Sequence, residues 1–275
     1  MISVRQKIAV GRTLIVAGLL VSAPGSLKAA DLDWLRGSFG GYSRWDGVNF
    51  GVQFGATSMH TDFGNSTSNE IAYILRNTTL ENEASPSSWT TLPSNDTSGQ
   101  NYGLFLGYNY QMDQLILGVD ATYSRASNLQ GAASDSMTRI VTTSDGVTHT
   151  VTISAQSSMK LIDYATLRVK TGYAMGQFMP YAFAGGAVGR FNYSSSATVF
   201  DHQVQGLTVI DFGPVTDSDS KDNAVVGGFT LGLGVDVSLL PNVFLRGEWE
   251  FVAFAQVNGI RTNINTGRVA LGVKF

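Results

Sequence analysis

The stretch TGRVALGVKF at residues 266–275 carries the clearest structural signal in the sequence. Apolar or small residues occupy every second position from Gly267 to Phe275, and the positions between them include Arg268 and Lys274. Because successive side chains of a β-strand point to opposite faces, this alternation predicts a strand with one apolar and one polar face. Only the apolar face of such a strand is suited to contact lipid.

The same alternation recurs in earlier segments, so that the chain contains eight predicted strands. Each segment is about ten residues long, which is the length of a tilted strand that crosses a membrane. The predicted apolar faces, read at alternate residues, are Val48 to Phe54, Tyr102 to Tyr110, Leu115 to Tyr123, Leu167 to Tyr173, Tyr181 to Tyr193, Val225 to Val237, Leu245 to Ala253 and Gly267 to Phe275.

The connections between these segments alternate strictly between long and short. The long ones lie near 60–100, 128–157, 194–222 and 256–263, and the short ones centre on Met112–Gln114, Met175–Phe178 and Leu240–Asn242. Bacterial membrane barrels have long extracellular loops and short periplasmic turns, whereas a soluble sandwich has no reason to alternate in this way. We therefore predict an all-β fold over residues 46–275, an eight-stranded antiparallel up-and-down transmembrane β-barrel.

The second long connection contains a hairpin signal of its own. Ser144–Val147 separates two stretches rich in Thr and Val, as expected of a hairpin that projects outward from the barrel. If this hairpin crossed the membrane, the barrel would have ten strands, but its apolar face is too thin for lipid.

Aromatic residues fall at both ends of the predicted strands. Such rings favour the two membrane interfaces, because one end of the ring system is apolar and the other is polar. The predicted periplasmic girdle is Tyr110, Tyr173, Tyr181 and Phe275, and the predicted outer girdle is Tyr102, Tyr123 and Tyr193.

The N-terminal segment has the features of an export signal. The basic residues Arg5, Lys7 and Arg12 precede a short apolar run at 14–21. Ala29 and Ala30 after the run offer a small-residue cleavage site. The run is shorter than the roughly 20 apolar residues that a membrane-spanning helix needs. We expect a signal peptide at 1–29 and a periplasmic lead-in at 30–45.

The composition of the chain excludes some classes of function and makes others less favourable. Charged residues make up only 14% of the chain, which is low for a soluble domain, and cysteine is absent, so thiolate chemistry and disulfides are excluded. A net charge of -3 gives no reason to expect a nucleic-acid partner.

Several strings resemble the alphaproteobacterial small outer-membrane porin-like family. These are Leu35–Ser38, Arg44–Gly47, Gly107–Gln111 followed by Leu117–Asp120, Leu167–Tyr173 with Pro180-Tyr181, and Gly272–Phe275. The resemblance covers nearly all of the chain after the signal peptide, but the long loops of this chain contain no string that matches the family. It implies a barrel built like the transmembrane half of OmpA in a Gram-negative outer membrane, with relatives that include surface antigens and hemin-binding proteins.

The polar faces of the predicted strands carry charges of both signs. An eight-stranded barrel has an interior just wide enough for side chains, and unpaired buried charge is costly, so these groups are expected to pair across the lumen. The predicted ionic network is Asp120, Arg168, Lys170, Arg190, Asp236, Arg246, Glu248, Glu250 and Arg268. The alternative interpretation is a narrow porin-like channel that conducts ions.

No residue pattern indicates an enzyme, a cofactor site or a metal site. The histidines His60, His149 and His202 all fall in predicted outer loops, without zinc-like spacing. We expect a non-enzymatic structural protein that displays surface loops and has no cofactor; a surface receptor for hemin or a host ligand stays open as an alternative. The expected partners are outer-membrane lipid and the barrel-assembly machinery, with Val273 and Phe275 as a C-terminal assembly signal.

Overall fold

A computed structural model describes residues 44–275. The predicted signal peptide and all but the last two residues of the predicted lead-in lie outside the described residues. The strands are β1 Gly47–Asp62, β2 Asn95–Met112, β3 Leu115–Ser127, β4 Gln130–Thr142, β5 Thr148–Tyr173, β6 Phe178–Gln205, β7 Thr208–Leu240, β8 Val243–Phe254 and β9 Arg261–Lys274. The helices are α1 Ser68–Ile74 and α2 Thr79–Ala84, followed by a 3₁₀ turn at Pro86–Ser88.

The strands close into an antiparallel ring. β1 pairs with β2 on one side and with β9 on the other, and β3 pairs with the lower half of β5, Asp163–Tyr173. Every strand except β4 belongs to this ring, which therefore has eight members and confirms the predicted up-and-down barrel. Closure leaves no unpaired edge in the ring, as the predicted membrane location requires, because lipid contains no water to satisfy backbone groups.

Two of the long connections are themselves β-structure. β4 pairs with the part of β5 that does not belong to the ring, Thr148–Lys160, here called its upper half. The hairpin turn between the two strands, Thr143–Val147, is closed by two backbone hydrogen bonds. The upper halves of β6 and β7, Tyr193–Gln205 and Thr208–Lys221, form a second long hairpin beside it. Together β4 and the upper halves of β5, β6 and β7 make a four-stranded sheet beyond the ring, here called the extracellular sheet after the side of the membrane on which its loops are predicted to lie. The projecting hairpin at 144–147 is therefore confirmed, and β4 does not join the ring.

The first long connection folds back over the inner face of the extracellular sheet. Ile71 and Leu75 around α1 and Leu80 of α2 are buried against Ile153 and Val199 of the sheet. Thr78 caps α2 by accepting a hydrogen bond from the backbone N–H of Glu81. Neither helix, nor any other among residues 44–275, has the length and hydropathy needed to span a membrane.

The predicted faces are confirmed in every ring strand except β6. In the others, the side chains of the predicted apolar faces point away from the axis, and the alternate residues point inside. In β6 the register is reversed: Tyr181, Phe183 and Phe191 point inward, whereas Ala182 and Ala184 point outward. The predicted girdle position of Tyr181 is therefore wrong, and Tyr193 is half-buried against the interior.

Glycines on the neighbouring strand explain this reversal. A Cβ atom at Gly232 would lie 2.4 Å from Cζ of Phe183, and one at Gly234 would lie 2.4 Å from Cζ of Tyr181. Such distances are incompatible with any larger residue, because interiors are close-packed. The space that Gly232 and Gly234 leave inside the barrel is thus filled by aromatic rings of β6.

Candidate functional site

The centre of the lumen is occupied by charged side chains from five strands. β3 contributes Asp120, β5 contributes Arg168 and Lys170, β7 contributes Asp236, β8 contributes Arg246, Glu248 and Glu250, and β9 contributes Arg268. These residues are here called the lumen network. Within each strand they lie at alternate positions, so the pleat of the sheet turns them all inward. All of them are buried, and acidic and basic groups are equally represented.

Asp120 is the centre of one half of the network. Its Oδ2 lies 3.0 Å from Nζ of Lys170, 3.3 Å from Nη1 of Arg246 and 3.5 Å from Nη2 of Arg168. Arg246 also donates from Nε and Nη2 to the two carboxylate oxygens of Asp236, at 2.8 and 2.9 Å. This two-point contact fixes the orientation of the guanidinium.

Glu248 and Glu250 organise the other half. Arg168 donates to both oxygens of Glu248 at 3.2 Å, and Arg268 Nε donates to Oε2 of the same residue at 2.6 Å. Arg268 Nη1 forms an ion pair with Glu250 Oε2 at 2.9 Å. Glu250 Oε1 also accepts a hydrogen bond from Thr230 Oγ1 at 3.0 Å. Each buried charge therefore has an opposite charge beside it, which offsets part of the cost of removing it from water.

Arg190 was predicted to join this network but does not. It points outward from β6 and pairs with Asp163 of β5, which also accepts a hydrogen bond from Tyr123 Oη at 3.1 Å. The Arg190 side chain is 42% exposed. The error has the same cause as the reversed register of β6, because Arg190 was placed inside on the assumption that the aromatic residues of this strand faced lipid.

An aromatic layer lies at the end of the lumen where the short, predicted periplasmic turns are. Trp45 is 2% exposed and meets Phe244 edge-on at 6.0 Å, and Phe244 in turn contacts Phe105 at 6.0 Å. The layer is joined to the lumen network because the Arg246 guanidinium lies 4.3 Å from the centre of the Phe105 ring, and that of Arg168 lies 4.1 Å from the centre of Phe183. The sequence analysis missed Trp45 as an interior residue by assigning it to the lead-in.

An apolar layer lies at the other end of the lumen, next to the extracellular sheet. Phe191 of β6 and Phe254 of β8 meet edge-on at 4.9 Å, and Met59, Leu161 and Ile264 pack around them. From the periplasm outward, the lumen thus contains an aromatic layer, the lumen network and an apolar layer.

Tyr181 connects the aromatic layer to the network, which gives a test of the register of β6. Its Oη donates to Glu248 Oε1 at 2.6 Å. Replacing Tyr181 by Phe is expected to lower the free energy of unfolding by about 1.5–3 kcal/mol, the usual range for a hydrogen bond to a charged group. Urea unfolding of the refolded protein in detergent measures this change.

Tyr102 supplies the matched control for that substitution. It is 54% exposed on the outward face of β2. Tyr102→Phe is therefore expected to change the free energy of unfolding by less than about 0.5 kcal/mol. Equal, small effects at both positions would restore the lipid-facing assignment of Tyr181.

The histidines pair with aspartates in the outer part of the chain. His149 Nδ1 lies 2.7 Å from Asp201 Oδ2, and His60 and His202 make similar contacts with Asp96 and Asp211. Nearby, the hydroxyl of Thr143 and the backbone N–H of Val147 hold the pKa of Asp145 below its usual value. Within residues 44–275, no cluster of His, Asp and Glu has an arrangement that would hold a metal ion.

The C-terminal residues lie at the seam where the ring closes. Phe275 is 73% exposed, its backbone N–H donates to Val48 O at 2.9 Å, and its ring stacks on Phe50 at 5.9 Å. Val273 is half-buried and pairs with Phe50 of β1 and Val243 of β8. The predicted assembly signal thus coincides with the closing strand pair.

Comparison with known proteins places this geometry among outer-membrane proteins. A family model described as "Outer membrane protein beta-barrel domain" matches residues 17–275. The 25 kDa outer-membrane immunogenic protein of Brucella abortus biovar 1 (strain 9-941) is 26% identical over 183 residues, which are 63% of this chain and 64% of the relative. The chain thus matches less than two thirds of the length of that relative.

Solved structures with the same kind of fold are also similar, at low sequence identity. Neisserial surface protein A (NspA) is 13% identical with a TM-score of 0.33, covering 82% of this chain and 97% of NspA. The N-terminal barrel domain of OprF from Pseudomonas aeruginosa is 10% identical with a TM-score of 0.34, covering 84% and 98%. These TM-scores are too low to support the fold assignment, which depends instead on the strand pairing of this chain and on the family match.

Proposed function

Because this chain belongs to the outer membrane protein β-barrel domain family and resides in the bacterial outer membrane, we propose that it is a non-enzymatic structural barrel with a closed lumen that displays surface hairpins. The closed lumen gives the barrel its stability, and the hairpins are the part available to the outside. Lipid of the outer membrane and the barrel-assembly machinery are its proposed partners.

The main support for a closed lumen is an ion pair that spans it. Arg246 of β8 reaches Asp120 of β3 at 3.3 Å, and these two strands lie opposite each other in the ring order β1-β2-β3-β5-β6-β7-β8-β9. Arg168 of β5 reaches Glu248 of β8 in the same layer. Since the salt bridges cross the full width of the bore, and apolar layers lie above and below them, ions have no continuous aqueous path.

The display of surface structure is supported by the lengths of β6 and β7. β6 has 28 residues and β7 has 33, whereas a tilted strand needs about ten residues to cross the membrane. The upper half of β6 alone extends roughly 40 Å at 3.3 Å per residue. The extracellular sheet therefore stands well clear of the bilayer.

Single-channel recording tests the closed lumen. The refolded protein is first checked for a heat-dependent shift on SDS gels, so that insertion of a folded barrel is established. We expect the unmodified protein in a planar bilayer to give no steady current. The narrow-porin alternative predicts the reverse: steady ion flow in the unmodified protein, with selectivity altered by changes at Asp120 or Arg168. Large, stable currents would overturn the closed lumen.

A further inference from the structure

The outward surface of the extracellular sheet carries an ordered array of hydroxyl groups. One row runs across all four strands: Ser136 of β4, Ser154 of β5, Thr198 of β6 and Thr216 of β7 are successive cross-strand neighbours. Side-chain hydrogen bonds link its outer pairs, Ser136 to Ser154 at 3.0 Å and Thr198 to Thr216 at 2.8 Å. The row is therefore held in place as a regular line of hydroxyls.

A second row lies one pleat closer to the membrane. It consists of Ser134, Gln156, Ser196 and Ser218, which are again cross-strand neighbours. The two rows together are here called the hydroxyl face.

The opposite side of the same strands has a different composition. At the same height it presents Ala155 and Ala197 in the middle and Asp135 and Asp217 at the two edges. Two residues further out along the same strands, Ile153 and Val199 are buried under the helices of the first long connection. The carboxylates and the apolar contacts are thus kept on the inner side, and the hydroxyl face is uncharged.

The hydroxyl face is continuous with the lipid-facing surface of the barrel. Along β6, the alternate residues that face outward run from Ala182 and Val188 in the ring to Ser196 and Thr198 in the extracellular sheet. Irregularities in pairing at Leu161/Asp163 and Phe191/Tyr193 change the register of the adjoining strands. The burial pattern shows that the outward surface continues through both of them.

Outward-facing side chains follow a definite order with height along this surface. Apolar side chains such as Leu167 and Leu231 cover the ring. Above them Tyr123 marks the interface. Arg125, Asp163 and Arg190 lie at one height, where Asp163 is buried and pairs with Arg190, and the exposed Lys160 lies beside Asn192, two residues further out along β6. The net charge of this level is therefore positive. The hydroxyl face begins above these cations. The order is therefore apolar, then basic, then hydroxyl-rich and neutral.

We propose that the hydroxyl face is covered by the saccharide part of the outer-leaflet glycolipids that surround the barrel. Acyl chains match the apolar band, phosphates next to them match the basic residues, and neutral sugars match the hydroxyls above. Hydroxyl groups both donate and accept hydrogen bonds, so a fixed array of them complements sugar hydroxyls without requiring charge. The inference rests on residence in the outer membrane and is independent of whether the lumen conducts.

Paired spin labels test this assignment. The chain has no cysteine, so Ser136→Cys and Asp135→Cys each give one labelling site, on opposite sides of β4 at the same height. Each labelled protein is placed in nanodiscs that contain either lipopolysaccharide with its core oligosaccharide or lipid A, which keeps the phosphates and lacks the core sugars. The measurement is the accessibility of the label to a water-soluble paramagnetic reagent.

We expect the core sugars to lower the accessibility of the label at 136 several-fold and to leave the label at 135 unchanged. The double substitution Thr198→Val and Thr216→Val, which keeps the β-branched shape and removes two hydroxyls, is expected to reduce that protection. Equal protection in lipid A, protection at both positions, or no protection would each overturn the proposal. Protection independent of the sugars indicates a second copy of the chain or the phosphates as the occupant. A steady channel current would instead contradict only the closed lumen.

Discussion

Glu248→Ala is expected to lower the free energy of unfolding by about 3–5 kcal/mol, the largest effect of any single change considered for this protein. Glu248 accepts from Arg168, Arg268 and Tyr181 at distances between 2.6 and 3.2 Å. Removing its carboxylate leaves Arg268 with Glu250 alone, and Arg168 with Glu250 at 3.4 Å and Asp120 at 3.5 Å, so that the network has one positive charge in excess. The remaining positive charge has no water to solvate it, and that loss dominates the cost.

Two further variants separate the charge effect from a general loss of side-chain volume. Glu248→Gln keeps the shape and removes the charge, so it is expected to retain most of the destabilisation. Asp222→Ala removes an exposed carboxylate from β7, and surface changes of this kind usually stay within about 0.5 kcal/mol. Urea titration followed by tryptophan fluorescence and by gel mobility gives the three values. A Glu248→Ala variant as stable as Asp222→Ala would show that the network contributes little to folding.

Leu231→Arg is expected to cost about 2–4 kcal/mol, because Leu231 lies in the middle of the lipid-facing surface of β7. It pairs with Ala184 of β6 and Phe251 of β8, so it is far from both ends of the ring. An arginine there must either remain in hydrocarbon or distort the bilayer to reach water.

Leu207 provides the control for the membrane contribution. It lies at the tip of the hairpin between β6 and β7 and is fully exposed. Leu207→Arg makes the same chemical change in water and is expected to leave the unfolding free energy within about 0.5 kcal/mol of the original. If both variants refold into lipid vesicles with equal stability, Leu231 does not face the membrane interior.

The sequence was sufficient to predict the barrel because most ring strands alternate large apolar residues with glycine or polar residues. β9 is the clearest case, since Val269 and Leu271 face outward and Arg268 faces the lumen, as predicted. The outer hairpin at 144–147 was also predictable, since a short polar turn separated two stretches of strand formers. Strand ends were harder to predict, because β6 and β7 continue without a break beyond the membrane.

β6 could not be assigned correctly from its own sequence. Both of its faces are compatible with lipid, since Tyr181 and Phe183 lie on one and Ala182 and Ala184 on the other. The deciding information is on β7, where Gly232 and Gly234 create the space that the two rings occupy. Pairing between strands therefore decides the register of β6, and the wrong placement of Arg190 followed from it.

The lumen charges were predictable as a set, but their partners were not. Alternation shows which side chains point inward, whereas the contact between Asp120 and Arg246 depends on the ring bringing β3 opposite β8. The aromatic and apolar layers were missed for a related reason: their members come from strands and connections far apart in the chain, including Trp45 from the segment that precedes β1.

The β-structure of the extracellular sheet determines what an antibody can recognise on this protein. Thr142, Thr148, Val204 and Val209 are neighbours in one row near the tip of this sheet, above the hydroxyl face, yet they belong to four different strands. An epitope on this surface is therefore discontinuous, and it exists only while the strands remain paired. Serum raised against short peptides from this region would recognise the denatured chain, whereas serum raised against the intact cell surface would lose its target when the protein is boiled.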